Sequence, residues 1–275
     1  MQTTTIGLDI AKHVFQLHAL NTEGKVMLRR RLRRGEVIPF FSALPPCVVG
    51  MEACSTAHHW ARELMALGHD VRLMPPTYVK PYVKRGKNDA ADAEAICEAV
   101  QRPTMRYVPV KSAEQQSVLM LHRSRDLLIR QRTMLANAIR AQCAEFGIIV
   151  AQGIAKLNEL LGLIVDPAEQ HIPPLARDCL VVLARQLHDL QRHIGEIERA
   201  IHAWHRASKT SRRLETIPGI GPITASALAA TVTDPSLLSP AKLVAVALAN
   251  KTARTVWAVL AQGATYRSAL QPSAA

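Results

Sequence analysis

Two aspartates three residues apart, Asp89 and Asp92, close the basic approach Lys84-Arg85-Gly86-Lys87-Asn88. Asn88 is a good helix N-cap, and a helix starting there presents both carboxylates on one face of its first turns. Alone, such a pair does no more than favour the positive end of the helix dipole. The chemistry comes from their company: Asp9 and Glu52 each end a short apolar run that reads as a buried strand. Mg²⁺ takes oxygen ligands and keeps waters, and two such ions about 3.5–4 Å apart activate an attacking oxygen and stabilise the leaving oxygen of a phosphodiester. Asp9, Glu52, Asp89 and Asp92 are therefore the candidate catalytic and metal-binding residues. Arg85 and Lys87 are candidates to hold the scissile strand or neutralise transition-state charge, with ordinary surface charge the equal alternative.

The elements that must position these acids can be read in order. Residues 3–10 are rich in β-branched side chains, residues 14–20 follow after a turn at Lys12-His13, and the pair reads as a hairpin. After a second turn at 21–24, residues 25–34 form a third strand running into a cluster in which five of the six residues Arg29 to Arg34 are arginine. Such a cluster either blunts a solvated sheet edge or, beside a carboxylate centre, holds phosphates. A short helix over 36–44 stops at Pro45-Pro46. Residues 47–52 are then an apolar strand ending in Glu52, 56–67 a helix closed by Gly68, and 70–74 another buried strand. Strand, helix and strand in this order imply a parallel crossover. A meander followed by βαβ units with acids at strand ends is the layout of an RNase H-like domain, expected over residues 1–110.

From Ser112 the pattern becomes helical. Met120, Leu121, Leu127, Leu128, Met134 and Leu135 recur at seven-residue intervals, and Leu180, Leu183, Leu187, Leu190, Ile194, Ile197, Ile201 and Trp204 alternate steps of three and four. The second series predicts a coiled coil within a helical segment over 111–210, serving either an intramolecular hairpin or a dimer seam. The glycines and prolines of 147–174 predict the turn between antiparallel helices or an insertion. Residues 214–228, Leu-Glu-Thr-Ile-Pro-Gly-Ile-Gly-Pro-Ile-Thr-Ala-Ser-Ala-Leu, resemble a helix-hairpin-helix in a small C-terminal domain over 211–275. Gly219 and Gly221 would let the hairpin backbone approach a phosphate, with amides of the next helix donating to it; a Gly/Pro turn between packed helices is the alternative.

Composition bounds the partner. With 275 residues and 48% hydrophobic content the chain is globular, and 34 Lys plus Arg against 22 Asp plus Glu give a net charge of +12 spread along the chain. A polyanion, nucleic acid first, is the expected partner. The five cysteines are widely spaced with no C-x-x-C pair, as reduced thiols are. Neither a signal-peptide pattern nor a run long enough to span a bilayer occurs, so a soluble cytoplasmic protein with no membrane partner is expected. No H-E-x-x-H, P-loop, G-x-S-x-G or G-x-G-x-x-G motif is present, and His58-His59 and the pair His202 and His205 read as helix-surface histidines.

The motifs Gly7-Leu8-Asp9, Gly50-Met51-Glu52-Ala53, Lys87-Asn88-Asp89-Ala90-Ala91-Asp92-Ala93, the long helices and Ile217-Pro218-Gly219-Ile220-Gly221 stand in the order found in the DEDD transposases of the insertion-sequence one-ten family, which the chain resembles from about residue 3 to 235 and again near the C-terminus. The resemblance implies a RuvC-like, RNase H-like α/β domain whose D-E-D-D carboxylates, here Asp9, Glu52, Asp89 and Asp92, bind Mg²⁺. It further implies a coiled-coil segment, a C-terminal transposase domain, DNA as substrate, a structured guide RNA from the same element, a serine nucleophile in the C-terminal domain, homo-oligomers that join domains of different protomers, and association with the nucleoid when bound to DNA.

One segment departs from the family pattern. After Thr233-Asp234-Pro235 a typical member continues through a Gly/Ser-rich basic segment bearing the serine, whereas here Ser236-Leu237-Leu238-Ser239-Pro240 runs into residues 242–251, which look like the terminal helix. An internal deletion is the simplest account, and neither Ser226, Ser236 nor Ser239 matches the nucleophile's motif. The expectation is a transposase that keeps its metal centre and nucleic-acid surfaces and is impaired in strand transfer. The alternatives are a RuvC-like nuclease using a metal-activated water, and a non-catalytic nucleic-acid-binding relic.

Overall fold

The computed structural model describes residues 4–83, 89–166, 168–216 and 219–232, and divides into two compact units at Gln115 and Gln116. In the first unit five strands, β1 (Thr5–Ile10), β2 (Val14–Leu20), β3 (Val26–Arg33), β4 (Val48–Glu52) and β5 (Asp70–Met74), form one mixed sheet in the order β3-β2-β1-β4-β5. The meander β1-β2-β3 is antiparallel, and β4 and β5 join it in parallel, as the strand–helix–strand pattern predicts. The five strands and their surrounding helices are consistent with an RNase H-like domain.

Side-chain alternation sorts the two faces of this sheet. Ile6, Leu8, Phe15, Leu17, Leu32, Val49 and Met51 are buried in the main core with helices α1 (Val37–Ser42) and α2 (Ala57–Ala66), where Phe41, Trp60 and Leu64 pack on them. Gly68 adopts φ +91° just beyond α2, a conformation that suits a residue without Cβ and turns the chain back into β5. His69, next to it, is buried: Cys47 N–H donates to its Nδ1 (3.3 Å), so Nε2–H donates to the Phe41 carbonyl (3.1 Å) and ties β4 to α1. After the short helix α3 (Pro76–Val79) comes α4 (Asp89–Ala99), which covers the opposite face of the sheet.

The second unit is helical. Helix α5 (Ala113–Ala144) and helix α7 (Pro174–Ala207) run antiparallel, since Arg125 pairs with Glu198 at 2.6 Å while Ala136 and Ile139 share a core with Leu180 and Leu187. Of the residues in the predicted α7 seam, Leu180, Leu187, Leu190, Ile194 and Ile201 are buried. On α5 the seven-residue pattern divides: Met120, Leu127 and Met134 face solvent and Leu121, Leu128 and Leu135 are half-buried, while the fully buried residues are Val118, Ala136, Ile139 and Cys143, outside that pattern. The glycine- and proline-rich 147–174 segment holds more than a turn. Leu157, Leu160 and Ile164 recur at helical spacing, and α6 (Ile154–Val165) inserts them into the core between α5 and α7. Helices α8 (Lys209–Glu215) and α9 (Pro222–Thr231) follow. All five cysteines are free thiols, and among the described residues no helix is long and apolar enough to cross a membrane.

Candidate active site

The acids of the first unit are positioned by glycines two residues before them. Gly7 lies beside Gly50 in the parallel register of β1 and β4, and Leu8 beside Met51. Leu8 and Met51 point into the core, so Gly7, Gly50, Asp9 and Glu52 belong to the opposite face, under α4. A Cβ on Gly7 would stand 2.7 Å from the Cys97 Cβ, and one on Gly50 would stand 2.8 Å from the Val100 Cβ. The helix therefore rests on a row of glycines that has no room for any other residue. Ala93, Ile96, Cys97 and Val100, at steps of three and four, are its buried stripe. Asp92 lies one turn N-terminal to Ile96 on that stripe and overhangs the next row of the sheet, where Asp9 and Glu52 stand.

These three carboxylates line one cavity of about 390 Å³, whose wall also includes Ile10, Cys54, Pro76, Val79, Lys80 and Val83. Burial, and then the negative charge of Asp92, raise the pKa of Glu52 above its ordinary value. Burial also raises that of the Cys54 thiol, followed by the charges of Glu52 and Asp9, which keeps the thiol protonated and a poor nucleophile. The acids thus share one field. Lys80 is the basic residue of this wall that the sequence reading missed; its only signal was its place just after the strand-ending Pro75-Pro76. Asp89 is the first residue of α4, and its side chain lies outside the described residues. Arg85, Lys87 and the Asn88 cap lie outside them too.

The donor set fits a hard divalent cation. It consists of carboxylate oxygens from three separate elements, with burial and the charge of Asp92 raising the pKa of Glu52, in a pocket with room for water. Among the described residues no three His, Cys, Asp or Glu side chains close into a ligand cluster. Mg²⁺ commonly binds through one or two carboxylates while its waters complete the shell.

The second unit carries two polar pins. His205, grouped in the sequence with surface histidines, is buried: its Nε2 lies 2.9 Å from Glu215 Oε2 and its Nδ1 2.8 Å from Ser211 Oγ. The carboxylate can only accept, so Nε2–H donates to it, and Nδ1 shares a second hydrogen bond with the Ser211 hydroxyl. The constellation is that of a serine–histidine–acid relay, yet Ser211 is fully buried and cannot reach a substrate, so the relay joins α7 to α8. Ser226 of α9 donates to the carbonyls of Pro222 (2.8 Å) and Ile223 (3.0 Å) and accepts from His122 Nε2 of α5 (3.1 Å). Between α8 and α9, Gly219 has φ +89°, Ile220 is buried, and Gly221 leads into Pro222 at the first turn of α9. Ile217, Pro218, Ser236 and Ser239 lie outside the described residues.

Comparison with known proteins gives the family. The DEDD IS110-type family model, described as a transposase, matches residues 6–146, and a model described as Transposase IS116/IS110/IS902 family matches residues 211–254. The chain is 48% identical over 236 residues to a putative transposase y4pF/y4sB of Sinorhizobium fredii, covering 86% of this chain and 60% of that protein. It is 49% identical over 235 residues to a probable family 20 transposase of Pseudomonas aeruginosa, covering 85% and 70%. It is also 42% identical over 231 residues to the transposase for insertion sequence element IS1328 of Yersinia enterocolitica, covering 84% and 68%. The chain thus spans between three-fifths and seven-tenths of these relatives' lengths, and it belongs to the IS110 family of transposases.

Proposed function

We propose that this transposase cleaves DNA at the pocket of Asp9, Glu52 and Asp92, with Asp89 as the fourth acid and Mg²⁺, as two ions, as the cofactor. One observation carries the reading: three carboxylates from β1, β4 and α4 line a single cavity, where the charge of Asp92 disfavours ionised Glu52. Bound between them, Mg²⁺ would polarise a phosphodiester and make an attacking oxygen more acidic. The residues' own tasks follow from their positions. The carboxylates hold the cation, the glycine row under α4 fixes their spacing, and Lys80 offsets charge on a phosphate brought to the wall. The approach of Arg85 and Lys87 and the Gly219–Gly221 turn contact the nucleic-acid backbone. A structured RNA of the element guides the choice of DNA, and copies of the chain assemble through their long helices.

Strand transfer through a serine is impaired in this chain, and water takes the nucleophile's place. Ser226, the serine of the glycine-turn segment, supports this: it is buried and its hydroxyl is committed to two carbonyls. The test incubates the full chain with labelled element ends and Mg²⁺. Nicks that vanish in Asp9→Asn and Glu52→Gln, with no covalent DNA–protein adduct on a denaturing gel, are the expected result. An adduct would restore the serine pathway, and binding without nicks would leave a non-catalytic nucleic-acid-binding protein.

A further inference from the structure

We propose that the outer strand β3 is a track that leads a DNA strand to the carboxylate pocket, with Arg31 as its principal phosphate contact, Arg33 beside it, and Gln16 between the track and Asp9. The proposal rests on the reading of that pocket as the place where DNA is cut.

The register across the meander carries it. Asp9 lies opposite Gln16, and Gln16 opposite Arg31, so the three form one row across β1, β2 and β3. Residues directly opposite in adjacent strands share a face. The neighbouring row is Gly7, His18 and Arg29; Gly7 lies under α4, and Arg29 pairs with Glu94 of α4 at 3.2 Å. The row of Asp9, Gln16 and Arg31 is therefore on the face of the pocket. Two strand spacings of about 4.8 Å put the Arg31 Cα about 10 Å from that of Asp9, so its long side chain can hold a phosphate near one bound at the acids.

The arginines of β3 are sorted between faces. Arg30, opposite Leu17, sits over the Phe40 ring at 5.4 Å on the core side. Arg29, Arg31 and Arg33 alternate with it on the other side. Arg31 is exposed and has no ion-pair or hydrogen-bond partner among the described residues, and the half-buried Gln16 amide makes no side-chain hydrogen bond among them. Three crowded carboxylates repel a polyanion; a file of guanidinium groups beginning one residue away offsets that repulsion on the same face. β3 is also an edge strand, and charge on an edge can serve only to prevent pairing with other chains. That role is indifferent to the face on which an arginine lies. A phosphate track is not.

The experiment uses the full chain in EDTA, so that binding is read without cleavage, and follows a labelled single-stranded DNA oligonucleotide by fluorescence anisotropy over a range of salt. Combined Arg31→Ala and Arg33→Ala should weaken binding about fivefold or more and flatten the plot of log affinity against log salt by about 1.4, since each phosphate contact on a single strand contributes about 0.7. Arg30→Ala removes one charge from the other face and should leave affinity within about twofold, less than half the loss expected on a logarithmic scale if charge alone mattered. Combined Arg31→Lys and Arg33→Lys keeps the charge and should retain most of the binding, which separates phosphate contact from folding. An equal loss in Arg30→Ala, no loss in the double alanine variant, or a loss confined to RNA of the same sequence would overturn the track. Failure of the wild type to nick DNA in Mg²⁺, with the binding results intact, would instead overturn the reading of the pocket.

Discussion

Gly7 lies directly beneath Cys97, so close that a Cβ on the glycine would stand 2.7 Å from the cysteine's own. Two residues further along the same strand is Asp9, and just over one helical turn before Cys97 is Asp92. The contact therefore sets the distance between two acids on different elements. It explains why Gly-x-acid occurs twice, at Gly7-Leu8-Asp9 and Gly50-Met51-Glu52: the glycine admits the helix and the alternation of the strand delivers the acid to the same face.

Gly7→Ala should lower stability by about 1–3 kcal/mol or more, because the added methyl meets the α4 backbone at Ala93 and Cys97, which cannot rotate away. Gly50→Ala meets the Val100 side chain and should cost less. Urea unfolding at pH 7 measures both, and equal tolerance of the two would contradict the close approach of α4.

The crowding of Glu52 and Asp92 predicts a pH dependence. Glu52's pKa is raised above the ordinary value of 4.5 in the fold. Its contribution is thus most favourable below pH 4.5 and is lost as pH rises through the folded value. Metal-free Asp92→Asn should melt above wild type at pH 7, with the gap closing toward pH 4. Millimolar Mg²⁺ should raise the wild-type melting temperature more than that of the variant. Superimposable pH profiles would remove the argument for mutual repulsion.

His122 works in the opposite direction. Burial, and then the charge of Arg125, lower its pKa below 6.5. The stability it confers is complete above pH 6.5 and lost as pH falls through the folded value, because the unfolded chain takes the proton more readily. Chemical denaturation should show the helical unit weakening between pH 7 and pH 5, and His122→Gln should flatten that slope. Ser226→Ala, which leaves His122 Nε2 without its acceptor, should cost about 1–2 kcal/mol at pH 7.

The buried pin of His205 can be tested by its two partners. Ser211→Ala removes the hydroxyl from a fully buried place and leaves Nδ1 unpaired, at a cost of about 1–3 kcal/mol. Glu215→Gln keeps an acceptor for Nε2–H and should cost less. Hydrogen exchange of the α8 amides would report both, with faster exchange in Ser211→Ala.

The amino-acid sequence alone determined the strands, because period-two alternation and the turn residues around them are local signals; β1 to β5 fall where residues 3–34 and 47–74 predict them. It also determined the helix that carries Asp89 and Asp92, and the family. Its histidines misled, since His205 carries no local mark of burial, and the glycines of 147–174 hid α6, whose leucines matter only once α5 and α7 enclose them. Tertiary structure alone decided that Asp9, Glu52 and Asp92 share one cavity, that Lys80 joins its wall, and that Arg31 falls in register with Asp9. Those relationships arise from strand order and from the close fit of α4 on two glycines, and contacts between residues far apart in the chain leave no trace in the periodicity of any one segment.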